Sequence, residues 1–522
     1  MANSVALRHI TRAYFILLWR LSKRGFGVIL LLCMVGIMVG FLGVEFQYTA
    51  KIALQIPGPS VRVYTGPPQN LNKTRDPLIL GHLPDLGVAG APDGQPKLPP
   101  TPPKPSTPLR LDRRPTNTSF LQKGGISDTS GDDERKRVIS EEIYKTLGVR
   151  TPLKFDPNFK NPCWYEQIPA KLDSMYANNH WADGKTFTQK FNILKNFLAF
   201  LRGRHFSQHL RCLPYFYLVG VAKAGTTDLY DRISQHPDMA QGMLKEPQWW
   251  GRRNFGSKSM SVPFSQYVEL FDMAAKAIAE QTCMKCNPKD GPIHTRLTGE
   301  ASPTTFWFND FWDERLGNNV TSGEPTYVVA DYMKQLQPNA KIIIILRNPV
   351  ERVYSDFLYL AKRVGKRPEV FHRAVVEGVK IFNDCRMRHS VRSCVHNRTV
   401  RLYRPWSEEC FCEIARLSIG MYSVHVTDWI RAFSPRQVLI LRFEDYVKNQ
   451  LDTLRKVFEF LDLRPLTKRE ERRITLKVPS NRTPNKIPML KETRKILTEF
   501  YEPFNKELAS ILKDEKYSWK GG

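Results

Sequence analysis

Acidic side chains are scarce relative to basic ones in this chain of 522 residues. It has 51 Asp and Glu against 78 Lys and Arg, which gives a formal net charge of +27. A basic excess of this size creates a positive surface potential and indicates an anionic partner. A solvated basic face without any partner is the alternative.

Charge of either sign is absent from residues 26–44. A helix of this length extends about 28 Å, enough to cross a hydrocarbon core of about 30 Å. Basic residues precede the run and Glu45 follows it, so the positive-inside rule places residues 1–25 in the cytosol and the rest in a lumen. A cleaved signal peptide is the alternative, but the run is long for one and no A-x-A site follows closely. We therefore predict a single-pass type II signal anchor, and lumenal topology excludes nucleic acid as the anionic partner.

Residues 45–150 contain little that could form a core. Nine prolines fall between Pro92 and Pro115, which is typical of an extended spacer or of disorder. We predict a proline-rich lumenal stem over residues 45–150 and a globular lumenal domain over residues 151–522. Lumenal topology makes four sequons candidate glycosylation sites: Asn72, Asn117, Asn319 and Asn397.

The chain lacks a cluster of histidines near its cysteines. Cys33 lies in the predicted span, and eight further cysteines would lie in an oxidising lumen: Cys163, Cys212, Cys283, Cys286, Cys385, Cys394, Cys410 and Cys412. Zinc bound by the 283/286 and 410/412 pairs is the alternative, but the second spacing is too tight for a usual zinc site. We predict disulfides and no metal, and the pairing stays open.

The run Tyr215–Tyr230 predicts a strand, a tight turn and the start of a helix. Residues 215–221 are apolar or aromatic, as in a buried strand, and the turn that follows contains Lys223. Three residues offer N-cap oxygens to the next helix: Thr226, Thr227 and Asp228. A helix N-terminus presents unpaired N–H groups and a positive dipole end, so we predict a phosphate site with Lys223 beside the anion. An ordinary turn with a surface lysine is the alternative.

The same turn lacks the lysine of a Walker A motif. Gly220 and Gly225 have the G-x-x-x-x-G spacing, but Thr226 stands where a P-loop NTPase has lysine. The lysine lies instead at position 223, inside the loop. This difference argues against Mg²⁺-dependent phosphoryl transfer, in which that lysine and the metal neutralise the γ-phosphate.

A second apolar strand is predicted over residues 341–346, and it ends at Arg347. Pro349 suits the first turn of the helix that follows. Arg347 at the carboxyl end of the strand and Ser355 two turns into the helix could converge on one anion. Taken alone, Arg347 could equally be a structural ion-pair partner.

Together these two motifs resemble the nucleotide-binding motifs of the sulfotransferase superfamily. The resemblance covers about residues 214–512, and the segment KEPQWW at 245–250 is similar to one found in glycosaminoglycan sulfotransferases. Three further segments match: residues 299–303, 438–445 and 500–505. Two departures stand out, because Gln248 replaces a histidine that relatives often carry and Ala301 replaces a lysine typical of the heparan sulfate branch.

The resemblance implies a Golgi enzyme that uses the donor 3′-phosphoadenosine 5′-phosphosulfate (PAPS) without a metal. The implied general base is Glu246, and Lys223 would stabilise charge on the bridging oxygen. The implied donor-binding residues are Lys223, Ala224, Gly225, Thr226 and Thr227 for the 5′-phosphosulfate, and Arg347 and Ser355 for the 3′-phosphate. The implied acceptor is a sulfated glycosaminoglycan, with transfer to position 6 of N-acetylgalactosamine 4-sulfate in chondroitin or dermatan sulfate.

An aromatic and basic cluster surrounds Glu246 in the sequence. Its members are Lys245, Trp249, Trp250, Arg252 and Arg253. Aromatic faces stack on sugar rings and arginines pair with sulfate, so we predict that the cluster binds the acceptor. Two tryptophans buried in the core are the alternative.

The fold follows from the alternation of elements. Apolar strands at 215–221, 341–346 and 438–443 alternate with helical patterns, which predicts a three-layer, P-loop-like α/β fold with a central parallel sheet. Two other functions stay open, a lumenal P-loop-like kinase and a non-catalytic glycosaminoglycan-binding membrane protein. A homo-oligomer is possible.

Overall fold

The computed structural model describes residues 129–182, 185–255, 261–280, 294–361, 365–398, 400, 415–478 and 487–520. All of them lie in one compact unit, residues 116–522. The predicted anchor at 26–44 lies outside the described residues, as do Asn72, Asn117 and the cysteines at 283, 286, 410 and 412. Within the described ranges, no helix is both long and apolar enough to cross a membrane.

The described residues form strands that belong to two sheets. They are β1 (Cys163–Gln167), β2 (Gln208–Cys212), β3 (Phe216–Gly220), β4 (Gly299–Ala301), β5 (Lys341–Leu346) and β6 (Val438–Arg442). The main sheet is parallel, in the order β4-β3-β5-β6, and β1 pairs with β2 in an antiparallel sheet. The predicted α/β fold with a parallel sheet is confirmed.

Helices connect and cover these strands. In chain order they are α1 (Thr129–Leu147), α2 (Lys185–Gly203), α3 (Thr226–Ile233), α4 (Phe264–Glu269), α5 (Asp272–Ala279), α6 (Val329–Leu336), α7 (Pro349–Leu360), α8 (Pro368–Arg386), α9 (Val391–His396), α10 (Tyr422–Ala432), α11 (Phe443–Lys448), α12 (Gln450–Phe460), α13 (Lys468–Thr475) and α14 (Lys491–Leu512). Every residue of β3 is buried, and so is every residue of β5 after the first. Because successive side chains of a strand point to opposite faces, both faces of the sheet must be covered.

Two disulfides lie within the described domain, and all four of their cysteines are buried. Cys163 and Cys212 lie opposite each other in the β1–β2 register and are bonded. Cys385 and Cys394 are also bonded, and this disulfide joins α8 to α9. These bonds confirm the prediction of disulfides for four of the eight cysteines that follow the predicted anchor.

Helix α1 corrects the predicted stem. The stem was expected to extend to residue 150, yet Ile139 and Ile143 are buried in the main core with 4% and 0% of their surface exposed. Arg135 forms an ion pair with the buried Asp331 of α6. Residues 129–147 therefore belong to the globular domain, because their apolar side recurs at helical spacing and packs on it.

Candidate active site

The first predicted phosphate loop joins β3 to α3. Its backbone enters the left-handed region at Lys223 (φ 72°) and Gly225 (φ 78°). A Cβ at position 225 would lie 2.8 Å from a ring carbon of Phe443, so both the conformation and the contact require glycine. The turn closes tightly, since the Ala224 N–H donates to the Val221 carbonyl at 3.2 Å.

The cap of α3 differs from the prediction. Gly225 is the N-cap residue, and no side chain caps the helix. Asp228 accepts a hydrogen bond from Arg232 at 2.9 Å and another from the hydroxyl of Tyr446. The expectation that Thr226, Thr227 or Asp228 supplies the cap is therefore wrong. A helix start capped by glycine leaves its first N–H groups without a side-chain acceptor, which suits an anionic ligand.

Lys223 places its ammonium group on an aromatic ring. The Nζ atom lies 4.1 Å from the ring centroid of Tyr359 near the end of α7, a cation–π distance. The pKa of Lys223 is lowered, chiefly by burial, and Arg347 and Arg416 lower it further while Asp356 and Glu246 oppose the shift. The structure thus brings Lys223, Glu246 and Arg347 into one electrostatic neighbourhood.

Arg347 connects the two predicted phosphate motifs. It follows β5, and its Nη1 donates to the Lys223 carbonyl at 2.9 Å. Its guanidinium lies 5.0 Å from the ring centroid of Phe443, and burial lowers its pKa. Within the described part of the chain, neither Arg347 nor Lys223 forms an ion pair with a carboxylate. Two partly buried cations at one edge of a sheet make a site for an external anion.

Ser355 lies on α7, whose start matches the prediction. Pro349 is its first residue, and the N-cap Asn348 accepts a hydrogen bond from the Val350 N–H at 2.9 Å. Ser355 is half-buried in the second turn. The helix begins two residues after Arg347 and has Ser355 in its second turn.

Asp356 is a site residue that sequence reasoning missed. Its fully buried carboxylate accepts two hydrogen bonds from Arg416, at 2.8 and 2.7 Å, and one from Arg352 at 3.2 Å. Burial alone would raise the pKa of Asp356, but the two arginines outweigh it and hold the pKa below its usual value. The only sequence signal was an acidic residue on the buried side of an amphipathic helix.

Glu246 lies in a loop with an unusual backbone. Glu246 (φ 63°) and Gln248 (φ 54°) are both in the left-handed region, which residues with a Cβ seldom adopt. Lys245 forms an ion pair with Glu246, and the side chains of the two are 20% and 35% exposed. The more exposed partner is the carboxylate, which is therefore accessible from solvent.

Trp249 and Trp250 do not present their rings to a sugar. Both are 0% exposed. Trp249 stacks on Tyr267 at 4.3 Å between ring centroids and donates from Nε1 to the Val262 carbonyl at 2.9 Å. Trp250 stacks on Phe255 at 5.7 Å. The predicted role of Trp249 and Trp250 in substrate binding is therefore wrong. Both rings pack in the core, where they anchor the loop of Glu246.

The two predicted acceptor arginines follow in a π-helical turn, Gly251–Phe255. Arg252 and Arg253 are both half-buried. The guanidinium of Arg252 lies 5.3 Å from the ring centroid of Phe308. This contact does not test whether Arg252 or Arg253 binds a sulfated acceptor. That role stays a prediction.

Two candidate glycosylation sites fall in the described residues. Asn319 is exposed, and its side chain accepts from the Thr321 N–H at 2.9 Å within its own sequon. Asn397 is half-exposed and follows α9. Neither side chain is enclosed in the core, which is compatible with glycosylation. The use of these two sequons stays a prediction.

Residues 214–509 match the family described as sulfotransferase domain. This stretch covers more than half of the chain, and it contains both phosphate motifs and the loop of Glu246. The chain belongs to this family, and the resemblance seen in its motifs is confirmed.

Individual relatives are carbohydrate sulfotransferases. Human carbohydrate sulfotransferase 15 is 40% identical over 385 residues, which is 71% of this chain and 66% of the relative. The mouse protein of the same name is 39% identical over the same shares. A crystal structure of a sulfotransferase from Alicyclobacillus acidocaldarius is similar at 21% identity, with a TM-score of 0.37 and coverage of 58% of this chain and 97% of that one. The match thus spans 66% of the length of the mammalian relatives.

Proposed function

We propose that this chain is a PAPS-dependent sulfotransferase of the Golgi membrane. Its proposed acceptor is position 6 of N-acetylgalactosamine 4-sulfate in chondroitin or dermatan sulfate. The observation that carries the donor assignment is the pair of cations Lys223 and Arg347. They are joined through the Lys223 carbonyl, and neither forms an ion pair with a described carboxylate. The relatives named carbohydrate sulfotransferase 15 support a carbohydrate acceptor.

The residues fit a donor with two anionic ends. Lys223 and the glycine-capped start of α3 would hold the 5′-phosphosulfate, with Thr226 and Thr227 in the first turn of that helix. Arg347 and Ser355 would hold the 3′-phosphate, a group that ATP lacks. When bound, the donor supplies an activated sulfuryl group on a phosphate leaving group.

The chain's own residues would then move one proton and stabilise one charge. Glu246 accepts the proton of the acceptor hydroxyl, whose oxygen forms a bond to sulfur as the bond from sulfur to the bridging oxygen breaks. Lys223 stabilises the negative charge that develops on that bridging oxygen. Asp356 would hold Arg416 and Arg352 in place, and Arg416 is one of the groups that lower the pKa of Lys223.

The proposed topology is a single-pass type II membrane protein with the described domain in the lumen. Its support is the uncharged run 26–44 with basic residues before it, and the two disulfides, which are typical of an oxidising compartment. Glycosylation at exposed Asn319 would fit the same location.

The test is a transfer assay with the purified full-length chain. We expect radiolabel from [³⁵S]PAPS to enter chondroitin 4-sulfate, and disaccharide analysis to find it at position 6 of the 4-sulfated N-acetylgalactosamine. Lys223→Ala, with unchanged thermal stability, should abolish transfer. Labelling of heparan sulfate alone would contradict the acceptor. Failure to label any glycosaminoglycan would favour the non-catalytic binding protein.

A further inference from the structure

Two arginines share one buried carboxylate on α7, which leaves a positive charge over. Asp356 is 0% exposed and accepts hydrogen bonds from both Arg352 and Arg416. One carboxylate neutralises only one of the two guanidinium groups. No other acidic side chain in the described ranges forms an ion pair with either arginine. A positive charge that is partly removed from water and left uncompensated favours an external anion.

Arg416 is the arginine that can reach such an anion. Arg352 is 0% exposed, and its Nη2 donates to the Arg416 carbonyl at 2.7 Å. The side chain of Arg416 is 21% exposed. It donates to Asp356 from Nε at 2.8 Å and from Nη2 at 2.7 Å, which fixes its direction. Among the described residues its Nη1 has no hydrogen-bond acceptor, so this edge of the guanidinium can serve a ligand.

Side-chain contacts connect Arg416 to the predicted acceptor cluster. Its guanidinium lies 5.6 Å from the ring centroid of Trp307, and that of Arg252 lies 5.3 Å from the ring centroid of Phe308. The centroids of these two neighbouring rings are 5.2 Å apart. Arg416 and Arg252 come from distant parts of the sequence, and adjacent rings hold them near each other.

Contacts also connect Arg416 to the proposed donor site. The Nζ atom of Lys223 lies 4.1 Å from the ring centroid of Tyr359, which is three residues after Asp356 on α7. Residues three apart are neighbours on the surface of a helix. The carboxylate that orients Arg416 therefore lies one helical turn from the ring that Lys223 contacts.

We propose that Arg416, oriented by Asp356, binds an anionic group of the acceptor. The inference rests on the proposed function, in which Lys223 and Arg347 already account for the two anionic ends of the donor. A chondroitin or dermatan chain carries a uronate carboxylate in each disaccharide, and the proposed acceptor sugar carries a 4-sulfate. Both groups are oxyanions that a guanidinium edge can bind by charge-assisted hydrogen bonds.

The test is the affinity of the full-length chain, saturated with 3′-phosphoadenosine 5′-phosphate, for a chondroitin 4-sulfate hexasaccharide. We expect Arg416→Gln to weaken this affinity about 10- to 100-fold, because a charge-assisted pair is lost. Its affinity for the nucleotide should be unchanged. Arg392→Gln is the matched control. Arg392 is 24% exposed and pairs at 2.8 Å with Asp428, a buried carboxylate that is also shared with a second arginine, Arg431.

Two modified hexasaccharides distinguish the possible anions. If Arg416 binds the uronate, wild type and Arg416→Gln should bind a carboxyl-reduced hexasaccharide equally well, and should still differ on a desulfated one. If Arg416 binds the 4-sulfate, the pattern is reversed. A difference that persists in full on both would contradict the proposal. An equal loss in Arg392→Gln, or an equal loss of affinity for the nucleotide, would contradict it too.

Arg416→Lys keeps the proposal testable if Arg416→Gln does not fold. It retains a positive charge beside Asp356 but lacks the planar fork, so we expect affinity for the hexasaccharide to fall about threefold or more. Wild-type affinity in this variant would refute the inference. Binding does not require transfer, so wild type that binds the hexasaccharide without sulfating it would refute only the proposed function. Wild type that does not bind it would refute both.

Discussion

Lys223 and Arg347 reach the same edge of the sheet for the same reason. Each follows the carboxyl end of a buried parallel strand, and β3 and β5 are neighbours. The hydrogen bond from Arg347 to the Lys223 carbonyl, 2.9 Å long, fixes the loop in its left-handed conformation. Arg347, which we propose binds the 3′-phosphate, would thus also shape the loop that we propose binds the 5′-phosphosulfate.

The proposed base can be tested by a change that keeps its shape. Glu246→Gln retains the size of the side chain and its hydrogen-bonding reach but cannot accept the proton. We expect kcat to fall about 10²- to 10⁴-fold with little change in donor binding. Single-turnover kinetics with saturating PAPS would measure this. Turnover at the wild-type rate would mean that another residue takes the proton.

Sequence reasoning located residues whose position depends on local structure. Lys223 and Arg347 lie after neighbouring strands as expected, because strand, turn and helix are local patterns, and their roles toward a donor stay predictions. Trp249 and Trp250 were wrongly assigned to the acceptor, because the same rings serve in a core or on a sugar and only tertiary packing decides between them. Asp356 was missed because its partner Arg416 lies 60 residues away.

Among the elements, strands were easier to predict than α1, the first helix of the domain. The predicted strand 341–346 is observed without change, and the predicted 215–221 and 438–443 are each slightly shorter in the structure. Strand β4, Gly299–Ala301, is only three residues long and gave no periodic signal. Helix α1 was missed because it follows a proline-rich stretch and has few apolar residues.

Helix α1 supplies a prediction about domain stability. Ile143 is 0% exposed, so Ile143→Ala removes buried apolar volume and should lower the free energy of unfolding by about 2–5 kcal/mol. Lys145→Ala is the control, since Lys145 is exposed on the same helix. Chemical denaturation followed by tryptophan fluorescence would measure both. Equal stability of the two variants would indicate that residues 129–147 do not support the core and belong to the stem.

On the scale of the whole molecule, the excess of basic residues bears on acceptor choice. A sulfated acceptor could pair with Arg252 or Arg253, and a site with a desolvated charge discriminates by about 2–5 kcal/mol against ligands that lack the partner. We expect wild type to prefer chondroitin 4-sulfate over desulfated chondroitin in kcat/KM. The Arg252→Ala, Arg253→Ala double mutant should lose much of this preference.

The control for the acceptor experiment keeps the change in net charge the same. Arg386→Ala combined with Arg388→Ala also removes two positive charges, from exposed positions at the end of α8. If this control loses the preference equally, the whole-molecule field selects the acceptor and not the two arginines after the tryptophans. Wild type that sulfates both polymers at the same rate would contradict selection for a sulfated acceptor.

The most direct measurement of the donor site is calorimetric titration of the full-length chain with two nucleotides. 3′-Phosphoadenosine 5′-phosphate carries the 3′-phosphate, and adenosine 5′-phosphate lacks it. Wild type should bind the first more tightly, and Arg347→Ala should reduce that difference by about 1.5–3 kcal/mol because a charge-assisted pair is lost. If Arg347→Ala keeps the full wild-type preference, Arg347 does not bind the 3′-phosphate, and the assignment of the two converging cations to one donor is wrong.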